Sequence, residues 1–398
     1  MDGRGRAAVM GDALVDAVVV GGGIGGLANA CALARAGYSV RVLERAPAFG
    51  EIGAGLQLAP NATRVLREWG LLEEILGLGV SPRRLVLRDA VDEEELTRLE
   101  LDGGFAARYG APYVVIHRGD LLDVLARACV RAGVELVPGC EVYDAATGDE
   151  EAVVSSARGQ HRARLVIVAD GLHSRLRARF SDDEPVCAGY AAYRGAFPVE
   201  RLDLEPEALE TVVGYVGPGC HLIQYPLRGG RMFNTVAVFK SSAYERGEAD
   251  WGGPEELEAV FAGCGPKARA GLKSLSLTRR WPMYDRLPIP NWINGRLVLT
   301  GDAAHPMLQY LAQGACQAIE DAHCLATELA SDLDWSVALK RYEDARTART
   351  AHVQAASRLW GDIWHTDGVG RLLRNTLFRQ RAPHDYTYVD WLYGFSGA

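Results

Sequence analysis

The first residues able to do chemistry form the run Gly21-Gly22-Gly23-Ile24-Gly25-Gly26, set directly after an apolar, β-branched stretch at 17–20. A glycine run between a strand and a helix is machinery for a pyrophosphate. Gly21 permits the tight turn, Gly23 lets backbone amides approach the phosphates, and Gly26 lets the helix close on the sheet. Glu44 ends the next strand pattern, where its carboxylate can accept hydrogen bonds from a ribose. Alone the glycine pattern says little. Strand, helix and acid at these offsets specify a dinucleotide, without choosing between FAD and NAD.

Two further strand-to-loop joints carry carboxylates. The buried-strand pattern at 164–169 ends in Asp170-Gly171, and the one at 296–300 breaks at Gly301-Asp302. In open α/β sheets ligands sit beyond the carboxyl ends of parallel strands. Past Asp302 a helix resumes from about Gly314, with Ala315, Cys316 and Ala318 on a face built for close approach. The N-terminus of such a helix suits an anionic or electron-rich group, and Asp302 suits a polyol; an ordinary capping aspartate is the plainer reading. Arg118, ahead of a helix over 121–132, could reach a phosphate or ribityl chain, or be a surface arginine. In CHLIQYPL at 220–227, strand alternation places His221, Ile223 and Tyr225 on one face. A histidine and a tyrosine on a mostly apolar face suit an aromatic ring with a polar substituent, although a histidine satisfied within a core is the commoner occurrence.

The elements that must position these groups follow from periodicity. Residues 61–75 read as one amphipathic helix with Val65, Leu66, Trp69 and Leu72 on its apolar face, and 85–101 read as strands. From 190 to 239 the pattern alternates, as in a separate antiparallel sheet, and 254–270 reads as a helical connection. After Ala322 the chain reads as helical to about Ile363, with the charge-alternating 341–349 as an exposed face. The aromatic tail at 364–393 should pack on the body or on a partner subunit. With 398 residues, 48% hydrophobic and 24% charged, the composition is that of a soluble globular protein of two or three domains. A net charge of −8 without a basic run gives nucleic acid no footing. No apolar run is long enough for a membrane span, and residues 1–12 read as a frayed tail rather than a signal peptide. The eight scattered cysteines, with no CxxC pair, read as buried thiols of a cytoplasmic protein, and no metal site is expected.

Three motifs stand in order: GGGIGG at 21–26, DGLHSRLR at 170–177 and GDAAHP at 301–306. Together they resemble those of the single-component flavin-dependent aromatic hydroxylases (class A flavoprotein monooxygenases), and the resemblance covers nearly the whole chain. It implies a Rossmann-like α/β FAD-binding domain of glutathione-reductase type over 1–82, 112–188 and 285–340. It also implies an antiparallel-sheet substrate domain over 83–111 and 189–284, and a helical C-terminal region over 341–398. FAD would be held non-covalently by Gly21, Gly23, Gly26, Glu44, Arg45, Arg118 and Val142, with Glu44 and Arg118 on the AMP half and the linker. Asp170 would serve the pyrophosphate region and, transiently, NADH or NADPH, which has no fingerprint of its own here. Asp302 would bind the ribityl chain, Pro306 would lie against the flavin ring, and the amides of Gly314 and Ala315 would face its N1–O2 edge.

Within that class, PMLQYLAQGACQAIEDA at 306–322 and RAPHDYTYVDWLYGF at 381–395 resemble the 3-hydroxybenzoate 6-hydroxylases. By that resemblance His221 takes the phenolic proton, while Tyr225 and Gln309 orient the substrate or stabilise its phenolate. Reduced flavin and O2 give a C4a-hydroperoxide, which attacks only an electron-rich ring, so a base with a pKa near neutrality is the fitting partner. With 3-hydroxybenzoate the para carbon is C6 and the product is 2,5-dihydroxybenzoate (gentisate). Salicylate 1-hydroxylase and 6-hydroxynicotinate 3-monooxygenase share the outline, with ring pose deciding the outcome. A flavin-dependent dehydrogenase or reductase, needing no phenol-activating base, and a non-catalytic dinucleotide binder are the readings from other classes. The aromatic tail further suggests a homodimer.

Overall fold

The structure, a computed structural model, describes residues 13–50, 54–332 and 334–395. The tail expected at 1–12 lies outside the described residues. Val15–Val20 is the middle of an eight-stranded sheet, with Val18 and Val19 fully buried. Burial on both faces explains its continuous apolar run. Gly159–Val168 and Val40–Leu43 flank it in parallel, and Leu297–Leu299 and Glu135–Val137 extend the sheet on either side. The carboxyl ends of these strands deliver Gly21, Ala169-Asp170 and Thr300–Asp302 to one edge. Gly21 sits at φ +107°, and a Cβ at Gly26 would lie 1.9 Å from the Gly21 carbonyl oxygen. No larger residue could let helix Ile24–Arg35 close on its strand.

A seven-stranded sheet carries the other half, in the order Ser276–Asp285, Val186–Pro198, Met232–Lys240, Cys220–Leu227, Thr211–Gly217, Arg84–Asp89, Glu95–Glu100. Thr211–Gly217 and Arg84–Asp89 run parallel, so this sheet is mixed where pure antiparallel pairing was expected. Residues 61–75 form two helices, Pro60–Glu68 and Leu72–Leu78, because Gly70 takes φ +71° between them. The connection at 254–270 likewise divides into Pro254–Phe261 and Pro266–Gly271, each started by a proline. Beyond Ala322 the helix stops at Ser331 and restarts as Trp335–His365, where the Asp334 side chain accepts from the Ser336 amide.

The stretch 341–349 keeps its expected exposure at Arg341 and Asp344 and departs from it at its other arginines. Arg346 is only 1% exposed and pairs with Glu320 and Asp321 of helix Gly314–Ser331, and the Arg349 side chain beside it is turned onto Glu320. Charge alternation along one helix does not reveal a buried counter-charge on the next. The aromatic tail packs on its own chain: Tyr386 and Tyr393 meet Phe105 and Tyr109 edge-on, and Asp390 pairs with Arg108 at 2.6 Å. All eight cysteines are free, and all but Cys187 are buried. Among the described residues no group of His, Cys, Asp and Glu is arranged for a metal, and no helix is long and apolar enough to cross a membrane.

Candidate active site

A cavity of about 1230 Å³ opens between the two sheets. That exceeds what one drug-sized ligand fills. One wall consists of Gly23, Ala169, Gly171, Thr300–Asp302 and Gln313–Ala315; the other carries Leu87, Arg194, Gly214, His221, Ile223, Tyr225 and Val236, with Gln309 and Tyr310 across from them.

The first wall fits a dinucleotide. A Cβ at Gly23 would meet nothing within 4 Å, so its backbone lies open to the cavity, while Gly21 and Gly26 are closed off by backbone. Glu44 braces the glycine loop, accepting from the amides of Gly22 at 2.6 Å and Ala46 at 2.7 Å. A carboxylate has lone pairs left for a ribose hydroxyl. Asp170 lies just behind the lining; burial raises its pKa, and its Oδ1 has no hydrogen-bond partner among the described residues. Asp302 is exposed to the cavity, and Arg118 lines it at the first turn of helix Arg118–Arg131. Helix Gly314–Ser331 has no side-chain cap, which leaves its first amides, including Ala315, to a ligand. Pro306 is buried beneath this wall, with its carbonyl accepting from Gln354. Arg45 is exposed and Val142 half-buried, and neither lines the cavity.

Residues that the motif reading did not single out hold the Gly301–Pro306 loop in place. Asp321 accepts from the Gly301 amide at 2.9 Å, meets His305 Nε2 at 2.6 Å and takes Arg346 Nε at 2.8 Å. Burial would raise the Asp321 pKa, but His305, Arg346 and the hydrogen bonds outweigh it and hold the carboxyl below the usual range. From the other side Arg177, the last residue of DGLHSRLR, donates Nη1 to the carbonyls of Ala303 and Ala304, both at 2.7 Å. The second motif therefore props the third. Its terminal arginine was the available signal.

The second wall is mostly apolar and carries Arg194. His221 is 1% exposed, and its Nδ1 lies 2.8 Å from Nε2 of His365, the last residue of helix Trp335–His365. Burial, together with His365, holds the His221 imidazole well below its ordinary pKa. The near-neutral base expected from the chemistry is therefore an uncharged imidazole. Burial, Arg374 and Lys240 lower His365 to about 3. Tyr225 is buried with its phenol pKa raised, and its ring fills the space beside Gly55. Strand register carries the row of Ile223 through Val236 to Arg194, between the rows of His221 and Tyr225. Arg194 shares their sheet face and donates Nη2 to Gln309 Oε1 at 2.9 Å. Neither His365 nor Arg194 was singled out in the sequence; an arginine on an alternating strand was the only pointer to the latter.

The model of the FAD binding domain family matches residues 14–357, and the chain belongs to that family. It is an FAD-dependent monooxygenase of the aromatic-hydroxylase class that the three motifs resemble. Over 385 residues it is 40% identical to the 3-hydroxybenzoate 6-hydroxylase of Polaromonas naphthalenivorans (strain CJ2), covering 95% of this chain and 96% of the relative. It is 38% identical to the 3-amino-4-hydroxybenzoate 2-monooxygenase of Streptomyces cremeus, covering 94% of each. Among solved structures, Klebsiella pneumoniae HpxO complexed with FAD and uric acid superposes with a TM-score of 0.83 at 26% identity, over 96% of this chain and 97% of that one.

Proposed function

We propose that the protein hydroxylates 3-hydroxybenzoate para to its phenol, giving 2,5-dihydroxybenzoate with NADH and O2. The observation that carries the reading is the convergence of His221, Tyr225 and Gln309 on one cavity with Arg194 on the same sheet face. Bound FAD, reduced by NAD(P)H, supplies an oxygen atom from O2 in electrophilic form. The chain's residues prepare the ring. His221 takes the phenolic proton, which turns the ring into a strong donor at its para carbon. Gln309 keeps its Oε1 on Arg194, which leaves its amide hydrogens for the phenolate oxygen. Tyr225 stays protonated and donates. Arg194 supplies the cation that a ring carboxylate needs on leaving water for an apolar wall. Leu87, Val236 and Tyr310 keep solvent from the reacting face.

On this reading FAD lies along the glycine loop, Asp170, Asp302 and the amides of Gly314 and Ala315, with the domain division given by the two sheets. The enzyme acts in the cytoplasm as a homodimer. With the aromatic tail committed to its own chain, the face offered to a second copy is Val369, Leu372, Leu373 and Leu377 on helix Gly368–Arg379, each at least 60% exposed. A monomer mass by light scattering at micromolar concentration would refute the dimer.

The deciding experiment is NADH oxidation by the FAD-loaded enzyme over 3-hydroxybenzoate, salicylate, 6-hydroxynicotinate and 3-amino-4-hydroxybenzoate, with product identification. Gentisate from 3-hydroxybenzoate, with NADH and product in near-equal amounts, is expected. Faster coupled turnover of another acid would replace the substrate. NADH oxidation with no oxygenated product from any of them would favour a dehydrogenase.

A further inference from the structure

The cavity wall that bears His221 continues behind it into a second buried imidazole. His221 Nδ1 and His365 Nε2 stand 2.8 Å apart, with the rings nearly parallel at 17° and 5.1 Å between centroids. The two residues come from different elements, 144 positions apart. Tyr190 stacks on His365 with 4.7 Å between ring centroids, and Tyr310 and Trp364 close the pair edge-on. His365 Nδ1 has no hydrogen-bond partner among the described residues. A hydrogen bond at this distance holds one proton between two ring nitrogens, so the tautomers of the two rings are tied together. If His221 is to accept at Nε2, the nitrogen left for the cavity, its own proton must sit on Nδ1 and point at His365.

We infer that His365 is a positioning residue for the hydroxylation: it fixes His221 in the tautomer that accepts at Nε2, and it shares the proton that His221 takes from the phenol. This rests on the proposed reading of His221 as the phenol's base. The step balances without a further reactant. The phenol O–H bond breaks and its proton bonds to His221 Nε2, while the bridging proton shifts from His221 Nδ1 towards His365 Nε2. The ring oxygen becomes phenolate, and one positive charge is spread over two imidazoles. Tyr190's ring face stabilises that charge. Arg374 and Lys240 oppose it, although Arg374 is itself paired with Asp89 at 2.9 Å. The proton is therefore held only while the phenolate is needed, and it returns to the oxygen of the product. A lone imidazole in the same pocket would bury its Nδ1–H without an acceptor whenever Nε2 is bare, and His365 gives that tautomer its hydrogen bond.

The test compares His365→Leu, which removes the acceptor, with His365→Gln, whose Oε1 can still accept from His221 Nδ1–H. Two readouts are taken on FAD-loaded protein. One is the pH at which bound 3-hydroxybenzoate ionises, followed by NMR of a 13C label on the phenolic carbon. The other is gentisate formed per NADH consumed. In the leucine variant the ionisation midpoint is expected to rise by about one pH unit, and hydroxylation to fall roughly 10–100-fold, the scale seen when a metal-bound histidine loses its outer hydrogen-bond partner. FAD content and NADH reduction of the flavin should match the parent. Glutamine should recover most of the loss. An unshifted midpoint with parental coupling in His365→Leu would overturn the inference, and so would a glutamine variant as impaired as leucine, since both would then report packing alone. If the parent converts a different phenol, the same pair of measurements is made on that one. Failure of the substrate reading thus stays separate from failure of the histidine pair.

Discussion

The two walls of the cavity bury their ionisable groups in opposite ways. Behind the glycine-loop wall the buried groups that hold the Gly301–Pro306 loop are charged and paired: Asp321 and Glu320 with Arg346 at 2.8 and 2.6 Å, and Arg177 with Asp183 at 2.8 Å. On the wall that carries His221 the rings nearest the cavity are neutral, His221 and His365 held below their usual pKa and Tyr225 and Tyr310 above theirs, mainly by burial, while the charged pair Arg374–Asp89 stands behind them and Arg194 lines the cavity. A buried ion pair adds little net stability over an apolar packing, yet breaking one is costly. Such pairs suit parts that must not move, here the loop from Gly301 to Pro306. Neutral buried groups can still change protonation state when an anion forms beside them. The loop is thus held by buried charge, and the rings of the His221 wall keep their protons available.

That division can be attacked from both sides. The largest effect is expected from His221→Ala, where hydroxylation should fall by ~10²–10⁴ while FAD binding and NADH reduction persist. Asn or Gln at this position should not restore the rate, because neither is a base; parental hydroxylation by the alanine variant would make His221 a core histidine. Next is Arg346→Met, which takes from Glu320 and Asp321 the buried cation they share, leaving them Arg349 and His305, and should lower unfolding free energy by about 3–5 kcal/mol in urea titrations. A loss under 1 kcal/mol would mean the network is not what holds the loop. Asp302→Ala removes a charge-assisted acceptor and should weaken FAD binding by about 1–3 kcal/mol, measured by flavin titration of apoprotein; unchanged affinity would remove Asp302 from the cofactor site.

The smallest effect is a pH dependence. His365 has a folded pKa of about 3 against an ordinary 6.5. A base held neutral in the fold contributes stability that is complete above the unfolded value and is lost as pH falls towards the folded one. By pH 5 that loss is roughly 2 kcal/mol, and His365→Leu should abolish it. Asp321 has the same sign in a lower window: its contribution is present above its ordinary 3.8 and is lost only as pH falls below that. Acid should thus weaken the substrate wall first. Parallel urea midpoints for parent and His365→Leu between about pH 7 and pH 5 would count against a neutral pair.

What could be read in the sequence was local. Gly21, Gly26 and Glu44 announce themselves because strand, turn and helix adjoin, and the constraint is steric within a few residues. His221 and Tyr225 share a face by strand alternation alone. Arg346 was misread because its partners Glu320 and Asp321 belong to another helix, and a one-dimensional charge pattern looks alike on a wet face and in a buried network. Gly70 split an apparently continuous helix because hydrophobic periodicity continues across a turn that φ does not. His365 lies 144 positions from His221, inside a stretch notable in sequence only for its aromatics, and nothing short of the fold brings them together.

The most direct test of the division is the ratio of gentisate formed to NADH consumed by His221→Ala as pH is raised. A phenol ionises in water near pH 10, so solvent can increasingly replace the missing base. The expected ratio is near one and flat for the parent. For the variant it should be low at about pH 7, with peroxide making up the difference, and climb towards about pH 9. A variant ratio equal to the parent's at neutral pH, or one that stays low at every pH, would contradict the assignment of the phenolic proton to His221.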